Sequence, residues 1–306
     1  MTENIPRVAV LLAAYNGMSW IEEQLVSILS QTHVHVNVFI SVDPSTDGTE
    51  AWCSRFAENN PDVQLLPTCG AFGGAARNFF RLIRDVDFSG YDYVSFSDQD
   101  DIWYPDKLER AVLKLRRGDV DGYSSNVVAF WPSGRRILVD KAQPQVQWDH
   151  LFEAAGPGCT YVLTQPLAAA LKGTVVDHWY RVQGVALHDW FCYAFARSAG
   201  FEWFIDPEPG MDYRQHAKNQ VGVNAGAVSA ISRLKKVVDG WWFSQVKLIC
   251  ELTTDNRNNA SKRPTVSGRV SILKLVVRLK ECRRRRRDQL AFAAFCMVMA
   301  LFGKGA

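Results

Sequence analysis

The residues best suited to chemistry lie in one short segment, Phe96-Ser-Asp-Gln-Asp-Asp-Ile-Trp103. Its three carboxylates, Asp98, Asp100 and Asp101, fall within four residues. Crowding three like charges is costly unless a positive charge neutralises them. A hard divalent cation such as Mg²⁺ or Mn²⁺ is the natural partner, because it takes carboxylate oxygens and completes its shell with phosphates. The alternative is a solvated acidic loop in which Asp101 or Asp106 caps a helix.

The surrounding sequence predicts the sheet that would position this cluster. Val8 to Ala14 is an apolar run typical of a strand buried on both faces, and a helix over Trp20 to Gln31 follows, with Ser19 as its N-cap. Further strands are predicted at Val36 to Val42, Val63 to Leu66 and Tyr93 to Ser97, and further helices at Thr49 to Asn59, Ala75 to Arg84 and Pro105 to Arg117. This alternation predicts an α/β fold, with a mostly parallel sheet covered by helices on both faces.

In such a sheet, ligands bind beyond the carboxyl ends of the strands. Three polar clusters fall at those ends, namely Tyr15-Asn16, Asp43 to Asp47 and Asp98 to Asp101. We therefore expect them to meet at one site. After Gly118 the strict alternation stops, and strands are predicted at Tyr123 to Phe130, Ile137 to Val139 and Cys159 to Leu163, with a helix at His188 to Ala199.

Composition excludes a disordered or fibrous chain, because 306 residues with 47% apolar content can bury a large core. The net charge of +3 hides an asymmetry: residues 1–225 carry 18 Lys+Arg against 27 Asp+Glu, whereas residues 226–306 carry 17 against 5. The two parts are therefore expected to face different partners.

Seven scattered cysteines without a C-x-x-C pair argue against a disulfide framework or a zinc site, and favour a reducing, cytoplasmic compartment. The N-terminus does not resemble a secretory signal. The longest apolar stretch near the end, Leu290 to Phe302, has 13 residues, whereas a spanning helix needs about 20. We expect no transmembrane anchor.

Several motifs, taken together, resemble a known family. Val10-Leu-Leu-Ala-Ala-Tyr-Asn16, Ile40-Ser-Val-Asp-Pro-Ser-Thr-Asp-Gly-Thr49 and the acidic segment resemble the three N-terminal signatures of family 2 glycosyltransferases with the GT-A fold. His188-Asp-Trp190, and Tyr213-Arg-Gln-His216 with Asn219 and Gly222, are similar to the bacterial rhamnosyltransferase-like branch of that family. The resemblance covers about residues 7–224, and five motifs in the same order are more specific than any one of them.

The resemblance implies where the donor binds. Ala13, Tyr15 and Asp43 match positions that hold the nucleotide base and ribose, and Asp43 would accept a hydrogen bond from a pyrimidine N–H. The family usually has two successive acidic residues here, whereas Val42-Asp43-Pro44 retains only the second. Turn capping by Asp43 and Asp47 is the alternative.

The resemblance also implies the metal site. Asp98 and Asp100 match the D-x-D pair, with Asp100 as a direct ligand of Mg²⁺ or Mn²⁺ and Asp98 contacting ribose or a metal-bound water. The metal would neutralise the departing diphosphate. Asp101 would orient the donor sugar or hold the local structure.

The remaining implied site residues lie on later elements. Asp189 matches the catalytic base, which takes a proton from the acceptor hydroxyl; the alternative is a helix N-terminal carboxylate. His188 alone is expected to be a packed histidine. Arg214 would clamp the diphosphate and His216 would supply a further metal ligand. Asn78 would approach the donor or lie on the surface as an amide.

The basic C-terminal part has its own predicted role. Leu275 to Leu279, Arg283 to Arg287 and Leu290 to Phe302 predict helices with basic and apolar faces, which suit an anionic membrane surface. Contact through residues 270–302 would bring the protein to a lipid-linked acceptor on the inner face of the cytoplasmic membrane. The alternative is an arm that packs on its own domain or on a second subunit of a homo-oligomer. Nucleic-acid binding is not expected, because no RNA or DNA module accompanies the arginines.

Together, the resemblance implies a GT-A domain over residues 1–224, followed by a basic, mainly helical extension over residues 225–306. The implied activity is an inverting, metal-dependent transfer of a sugar, such as rhamnose, from a dTDP- or UDP-sugar donor to a bacterial cell-surface glycan or lipid-linked acceptor. The alternatives are a nucleotidyltransferase, and a non-catalytic protein that binds nucleotide sugar or scaffolds an assembly.

Overall fold

The computed structural model describes residues 5–216, 240–254, 264 and 268–302. The strands are β1 Arg7–Ala14, β2 His35–Val42, β3 Val63–Leu65, β4 Tyr93–Ser97, β5 Ile102–Trp103, β6 Gly122–Ser125, β7 Val127–Phe130, β8 Arg136–Val139, β9 Val162–Thr164, β10 Trp203–Asp206 and β11 Met211–Arg214. The helices are α1 Ile21–Leu29, α2 Thr49–Glu58, α3 Ala75–Asp85, α4 Lys107–Leu115, α5 Asp149–Phe152, α6 Gln165–Asp177, α7 Trp179–Val182, α8 His188–Ser198, α9 Trp241–Leu252, α10 Arg269–Val276, α11 Leu279–Cys282 and α12 Arg286–Phe302.

The central sheet has seven strands in the order β10-β6-β9-β4-β1-β2-β3. Its pairs are parallel except for β9, which runs antiparallel to both β4 and β6. The predicted mostly parallel sheet is therefore confirmed, as is the predicted order of the first four strands and their helices. A second sheet, in the order β5-β11-β7-β8, lies on the later part of the chain.

Strand β1 explains why the sheet holds a large core on each face. Alternate residues from Ala9 to Ala13 belong to one cluster of buried side chains, and alternate residues from Val8 to Ala14 belong to the other. A strand buried on both faces needs a continuous apolar sequence rather than an alternating one. Because β1 pairs in parallel with both β2 and β4, the carboxyl ends of these three strands lie together at one edge of the sheet.

Predicted element boundaries were wrong at several places. Ser19 does not cap α1: Trp20 is the residue before the helix, no side chain caps it, and the backbone N–H of Trp20 donates to Gly17 O at 2.9 Å. Helix α4 begins at Lys107 rather than Pro105, because a turn closed by the Lys107 N–H to Tyr104 O bond precedes it.

The predicted strand Tyr123 to Phe130 is two strands in different sheets, with Asn126 between them. The buried Asn126 side chain donates to Pro207 O at 2.8 Å and accepts from the Lys141 N–H at 2.6 Å. These bonds fix the point where the chain leaves the large sheet.

The predicted strand Cys159 to Leu163 begins instead with a 3-10 turn over Gly158–Thr160. The Thr160 hydroxyl donates to Pro157 O at 2.7 Å, which closes the turn.

The C-terminal helices pack on the rest of the described chain. Phe292, Cys296 and Met299 of α12 are buried in the same apolar cluster as Phe152 of α5 and Trp190 of α8. The alternative of an arm packing on its own domain is thus confirmed for the part of the tail that the structure describes. Within the described residues, no helix is both long enough and apolar enough to cross a membrane.

Candidate functional site

Three loops at the carboxyl ends of β1, β2 and β4 are bonded to one another. The Gln99 side-chain amide donates to Tyr15 O and accepts from Tyr15 N–H, both at 2.8 Å. Asn16 Oδ1 accepts from Thr46 N–H at 2.8 Å, which joins the first loop to the second. The prediction that the three polar clusters meet is therefore confirmed. Gln99 itself was missed, since nothing in the acidic motif shows that its middle residue pairs with a distant backbone.

Asp43 lies buried at the end of β2. Its Oδ1 accepts from Phe72 N–H at 2.9 Å and its Oδ2 from Gly73 N–H at 3.1 Å. The carboxylate thus anchors the loop before α3, and Ala13 lies on the neighbouring strand, opposite Ser41.

Tyr15 and Asp47 flank this position. The Tyr15 side chain is exposed, so its ring can be reached from solvent. Asp47 caps a turn, because its carboxylate accepts from Met18 N–H at 3.1 Å and from Thr49 N–H at 3.1 Å. Burial tends to raise the Asp47 pKa, but the hydrogen bonds from Thr49 and Met18 outweigh it and lower that pKa.

Asn78 is not a surface amide, and that alternative is wrong. It is buried on α3, where its Nδ2 donates to Ser41 O at 2.9 Å and its Oδ1 accepts from the Ser41 hydroxyl. Arg81 donates to the same hydroxyl at 2.7 Å. These bonds hold α3 against β2, and a contact between Asn78 and a donor stays a prediction.

Asp100 and Asp101 are buried and Asp98 is partly buried, so the alternative of a solvated acidic loop is wrong. Asp100 is 9% exposed and Asp101 is 0% exposed. Ligand atoms of Asp98, Asp101 and Cys159 lie within 4.8 Å of one another. Asp101 Oδ1 accepts from Arg214 N–H at 3.0 Å, whereas no hydrogen-bond partner for its Oδ2 is found among the described residues.

The carboxylates of this cluster raise one another's pKa values. Burial, followed by the negative charges of Asp100 and Asp189, raises the pKa of Asp98 to about 7. Burial and the charges of Asp100 and Asp98 raise the pKa of Asp101 well above its ordinary value. Like charges crowded at low dielectric resist ionisation unless a cation joins them. The crowded carboxylates, one of whose buried oxygens has no hydrogen-bond partner among the described residues, therefore fit a divalent cation.

His216 and Arg214 bring the second sheet to the cluster. His216 Nε2 lies 2.7 Å from Asp100 Oδ2, and its ring stacks on Trp20 with centroids 4.0 Å apart. Arg214 donates from Nε to Asp100 O at 2.7 Å, and its guanidinium also contacts Glu23. Arg214 thus supports the acidic loop in this structure, and a diphosphate contact by it stays a prediction. Asn219 and Gly222 lie outside the described residues.

Asp189 stands in the first turn of α8, where its Oδ1 accepts from Trp190 N–H at 2.7 Å. Burial raises its pKa to about 6. Its charge also contributes to the raised pKa of Asp98, so the two carboxylates share one electrostatic environment. His188 stacks on Phe79 with centroids 3.8 Å apart, and burial lowers its pKa to about 3, which confirms the packed histidine.

Sequence reasoning missed the turn that lies between the predicted base and the acidic cluster. A Cβ added at Gly158 would lie 2.5 Å from His188 Nε2 and 3.1 Å from Asp189 Cβ. The next residue, Cys159, faces Asp98 and Asp101. Only glycine leaves room for this approach. The Gly156-Pro-Gly158 sequence signals a turn, but not the surface against which the turn packs.

Lys107 was also missed. Its side chain is buried with Nζ 3.4 Å from the centroid of the Trp103 ring, and no hydrogen-bond partner for Nζ is found within the described part of the chain. Burial lowers its pKa to about 7, although the nearby Cys159 and Asp101 oppose that shift. A lysine at a helix start is ordinarily exposed, so no local signal could have identified it.

Comparisons with known proteins identify a family and related chains. The family model of Glycosyl transferase family 2 matches residues 9–155. The chain is 43% identical to "dTDP-rhamnosyl transferase RfbG" of Shigella flexneri over 95% of this chain and 100% of that protein. It is 26% identical to "UDP-Glc:alpha-D-GlcNAc-diphosphoundecaprenol beta-1,3-glucosyltransferase WfgD" of Escherichia coli over 52% of this chain and 61% of that one.

Two solved structures share the fold. S. aureus TarS 1-349 in complex with UDP-GlcNAc has a TM-score of 0.59 at 11% identity, over 96% of this chain and 81% of that one. The mannosyltransferase PcManGT from Pyrobaculum calidifontis, in complex with GDP-Man and Mn²⁺, has a TM-score of 0.52 at 18% identity, over 98% and 88% of the two chains.

Proposed function

Because the chain belongs to glycosyl transferase family 2 and is a nucleotide-sugar glycosyltransferase with a GT-A-type fold, we propose that it transfers rhamnose from a dTDP-rhamnose donor to a glycan or lipid-linked acceptor, with inversion. The observation that carries the proposal is the common environment of Asp189 and the acidic cluster. One buried carboxylate stands beside a site suited to a diphosphate and its cation. The near full-length similarity to a dTDP-rhamnosyl transferase supports the choice of donor.

Asp189 is the proposed general base. With a pKa near 6 it is ionised at neutral pH, yet it is a stronger base than an exposed carboxylate. The Trp190 N–H holds Oδ1, and Oδ2 takes the proton from the acceptor hydroxyl. The deprotonated oxygen attacks the anomeric carbon as the nucleoside diphosphate leaves from the opposite face. A single displacement of this kind inverts the anomeric configuration.

Mg²⁺ or Mn²⁺ is the proposed cofactor, and Asp100 and His216 are the residues that would hold it, with Asp98 contacting ribose or a metal-bound water. When bound, the cation supplies positive charge to the departing diphosphate. Cys159 is a poor ligand for such hard cations, because burial and the neighbouring Asp101 and Asp98 raise its thiol pKa well above the ordinary value. Asp101 is proposed to orient the donor sugar from a carboxylate that the Arg214 N–H fixes.

Ala13, Tyr15 and Asp43 are proposed to bind the base and ribose, with Asn78 supporting that wall of the site and Arg214 approaching the diphosphate. Asp43 keeps acceptor capacity, because each carboxylate oxygen that bonds Phe72 or Gly73 has a second lone pair.

The product formed distinguishes this proposal from its alternatives. The chain would be incubated with dTDP-rhamnose, UDP-sugars, Mn²⁺ and a panel of acceptors. Release of nucleoside diphosphate together with a glycoside of inverted configuration, seen by NMR, is expected. Pyrophosphate release would identify a nucleotidyltransferase. Donor binding without release of either product would identify a non-catalytic protein.

We also propose that residues 270–302 contact the inner face of the cytoplasmic membrane. The exposed Val270 and Leu273 of α10 and Val277 at its C-terminal end are spaced as one helical stripe, and on α12 the exposed Leu290, Met297 and Leu301 form another. Exposed cations accompany both stripes, namely Arg269, Lys274, Lys280 and Arg286, whereas Arg287 pairs with the adjacent Asp288. Such a combination favours an anionic lipid surface.

Vesicle sedimentation tests this contact. The protein should sediment with vesicles containing phosphatidylglycerol and stay behind with neutral ones. Combined Leu290→Ser and Leu301→Ser should weaken that binding by roughly tenfold or more, since two apolar side chains would lose their burial. Equal vesicle binding by wild type and variant would contradict the membrane contact. The homo-oligomer alternative would then be tested by measuring the molar mass in solution by light scattering.

A further inference from the structure

The arginine run Arg283–Arg285 faces inward. Arg284 is only 8% exposed, and its side chain lies 3.7 Å from the buried Asp149 and 3.4 Å from the partly buried Glu153. Arg285 lies 2.9 Å from an oxygen of Asp140. These three cations are therefore engaged within the chain, although a run of arginines ordinarily indicates an external anionic partner.

Two of these arginines bind the backbone of one segment. Arg283 donates from Nη1 to Phe152 O at 2.8 Å, and Arg284 donates from Nη2 to Ala154 O at 2.6 Å. The Arg284 backbone N–H also donates to Glu153 Oε1 at 2.9 Å. The Arg284 guanidinium thus holds the carbonyl through Nη2, while its Nη1 and Nε form ion pairs with the neighbouring carboxylates for which no hydrogen bond is found among the described residues.

The same segment continues directly to the proposed base. Four residues beyond Ala154, Gly158 packs against His188 and Asp189 with no space for a side chain. A displacement of residues 154–158 would therefore change the packing around Asp189.

A second connection runs through α5. Trp190, the residue after the base, donates from its indole N–H to His150 O at 3.1 Å. Tyr193, one turn along α8, donates from its hydroxyl to Asp149 Oδ2 at 2.9 Å. Asp149 is the acid that pairs with Arg284. The arginine is therefore linked to the start of α8 twice, through Gly158 at Asp189 and through Asp149 at Tyr193.

From these contacts we infer that Arg284, helped by Arg283, is a positioning residue for Asp189: it clamps the segment from Asp149 to Gly158 against the start of α8. The inference rests on the proposed function of Asp189. It also assigns the basic C-terminal extension a role inside the catalytic unit. A small displacement of a catalytic group reduces the rate sharply, while donor binding elsewhere in the site is unaffected.

Arg284→Met and Arg284→Lys, with Arg287→Met as the matched control, test this inference. Arg287 belongs to the same run, but it is 76% exposed and contacts the adjacent Asp288. For each purified full-length variant, donor-binding sites would be counted by titration with dTDP-rhamnose. The kcat for transfer would then be expressed per binding site, so that a loss of folded protein does not count as a loss of rate.

Arg284→Met should lower kcat per site by roughly tenfold or more with the donor KM within about threefold of wild type. The kcat per site of Arg284→Lys should lie between those of wild type and Arg284→Met, because an ammonium restores the charge but not the planar set of guanidinium donors. Arg287→Met should match wild type. Hydrogen exchange measured by mass spectrometry should be faster in residues 153–161 of Arg284→Met, faster by a smaller factor in Arg284→Lys, and unchanged in Arg287→Met.

The inference is overturned if kcat per site in Arg284→Met stays within twofold of wild type, or if Arg287→Met loses as much. Should Arg284→Met fail to fold, Arg284→Lys and Arg283→Met carry the same measurements, and unchanged kcat per site in both overturns it. If wild type transfers no sugar, the proposed function fails independently of this inference. The position of the segment is then tested by hydrogen exchange alone, and unaltered exchange of residues 153–161 in Arg284→Lys would contradict the inference.

Discussion

His216 Nε2 and Asp100 Oδ2 approach to 2.7 Å, although Asp100 follows β4 of the large sheet and His216 follows β11 of the second sheet. Stacking of His216 on Trp20 fixes the ring in this orientation. An imidazole nitrogen and a carboxylate oxygen that converge in this way can serve a common cation.

Removal of His216 should therefore raise the metal requirement. In His216→Ala, the Mn²⁺ concentration that gives half-maximal transfer is expected to rise roughly 10- to 100-fold, as is usual when a group at a metal site is lost. His35→Ala is the control, because His35 begins β2 at the opposite end of the sheet. An unchanged Mn²⁺ titration in His216→Ala would exclude this histidine from the metal site.

Asp189→Asn should retain donor binding and lose transfer by roughly 10² or more, the usual size of a general-base effect. The base acts only when ionised, so wild-type kcat should rise with pH through about 6, the raised pKa of Asp189. Rate measurements from pH 4.5 to 8.5 test both points. If Asp189→Asn keeps near-normal turnover, or shows the same increase of kcat with pH near 6, another residue must be the general base.

Gly158→Ala should damage the site without a change of charge. The new Cβ would collide with the His188 ring, which cannot move freely because it stacks on Phe79. Overpacking of this kind costs about 1–3 kcal/mol, and we expect transfer to fall at least tenfold.

Gly173→Ala is the matched control for that change, because, apart from the backbone of its own helix α6, no atom of the described residues lies within 4 Å of its added Cβ. It should stabilise the helix by up to about 1 kcal/mol and leave kcat unchanged. Equal activity of the two alanine variants would show that the Gly158 contact does not matter.

The contribution of Asp98 to the stability of the metal-free protein should fall as pH rises. Asp98 has a folded-state pKa of about 7, above its ordinary value of 3.8, so the folded protein holds this proton more tightly than the unfolded one. Its favourable contribution is therefore complete below pH 3.8 and is lost as pH rises through 7. Mn²⁺ should consequently raise Tm more at pH 8 than at pH 5.5.

Differential scanning fluorimetry with and without Mn²⁺ measures this difference. In Asp98→Asn, the fall in Tm between pH 5.5 and 8 should be smaller than in wild type, because the titrating carboxyl is gone. A larger Mn²⁺ effect at pH 5.5 than at pH 8 would contradict the proposed ligand set.

Much of the fold could be predicted because its signals are local. The apolar run from Val8 to Ala14 is sufficient to indicate a doubly buried strand, and the turn residues after β1, β2 and β4 indicate which loops lie at the same edge. Parallel topology then brings Asp43 and Asp100 to one site without any knowledge of their contacts.

What could not be predicted depends on contacts between residues distant in the sequence. Gln99 pairs with Tyr15 across 84 residues, and Arg284 binds Ala154 across 130. The burial of Lys107 runs against the usual exposure of lysine. A run of charges has no pattern that shows whether its partners are lipids or its own buried acids, and so the inward direction of Arg283–Arg285 emerges only from packing.

The central claim is that the acidic cluster beyond β4 shares a divalent cation with a departing nucleoside diphosphate. The most direct test is dTDP release from dTDP-rhamnose in the presence of acceptor, measured for wild type with Mn²⁺, wild type with excess chelator, and Asp100→Ala with Mn²⁺. Chelator and substitution should each reduce the rate by roughly 10² or more, because charge on the leaving group is no longer neutralised. Full activity with chelator or in Asp100→Ala would contradict the claim.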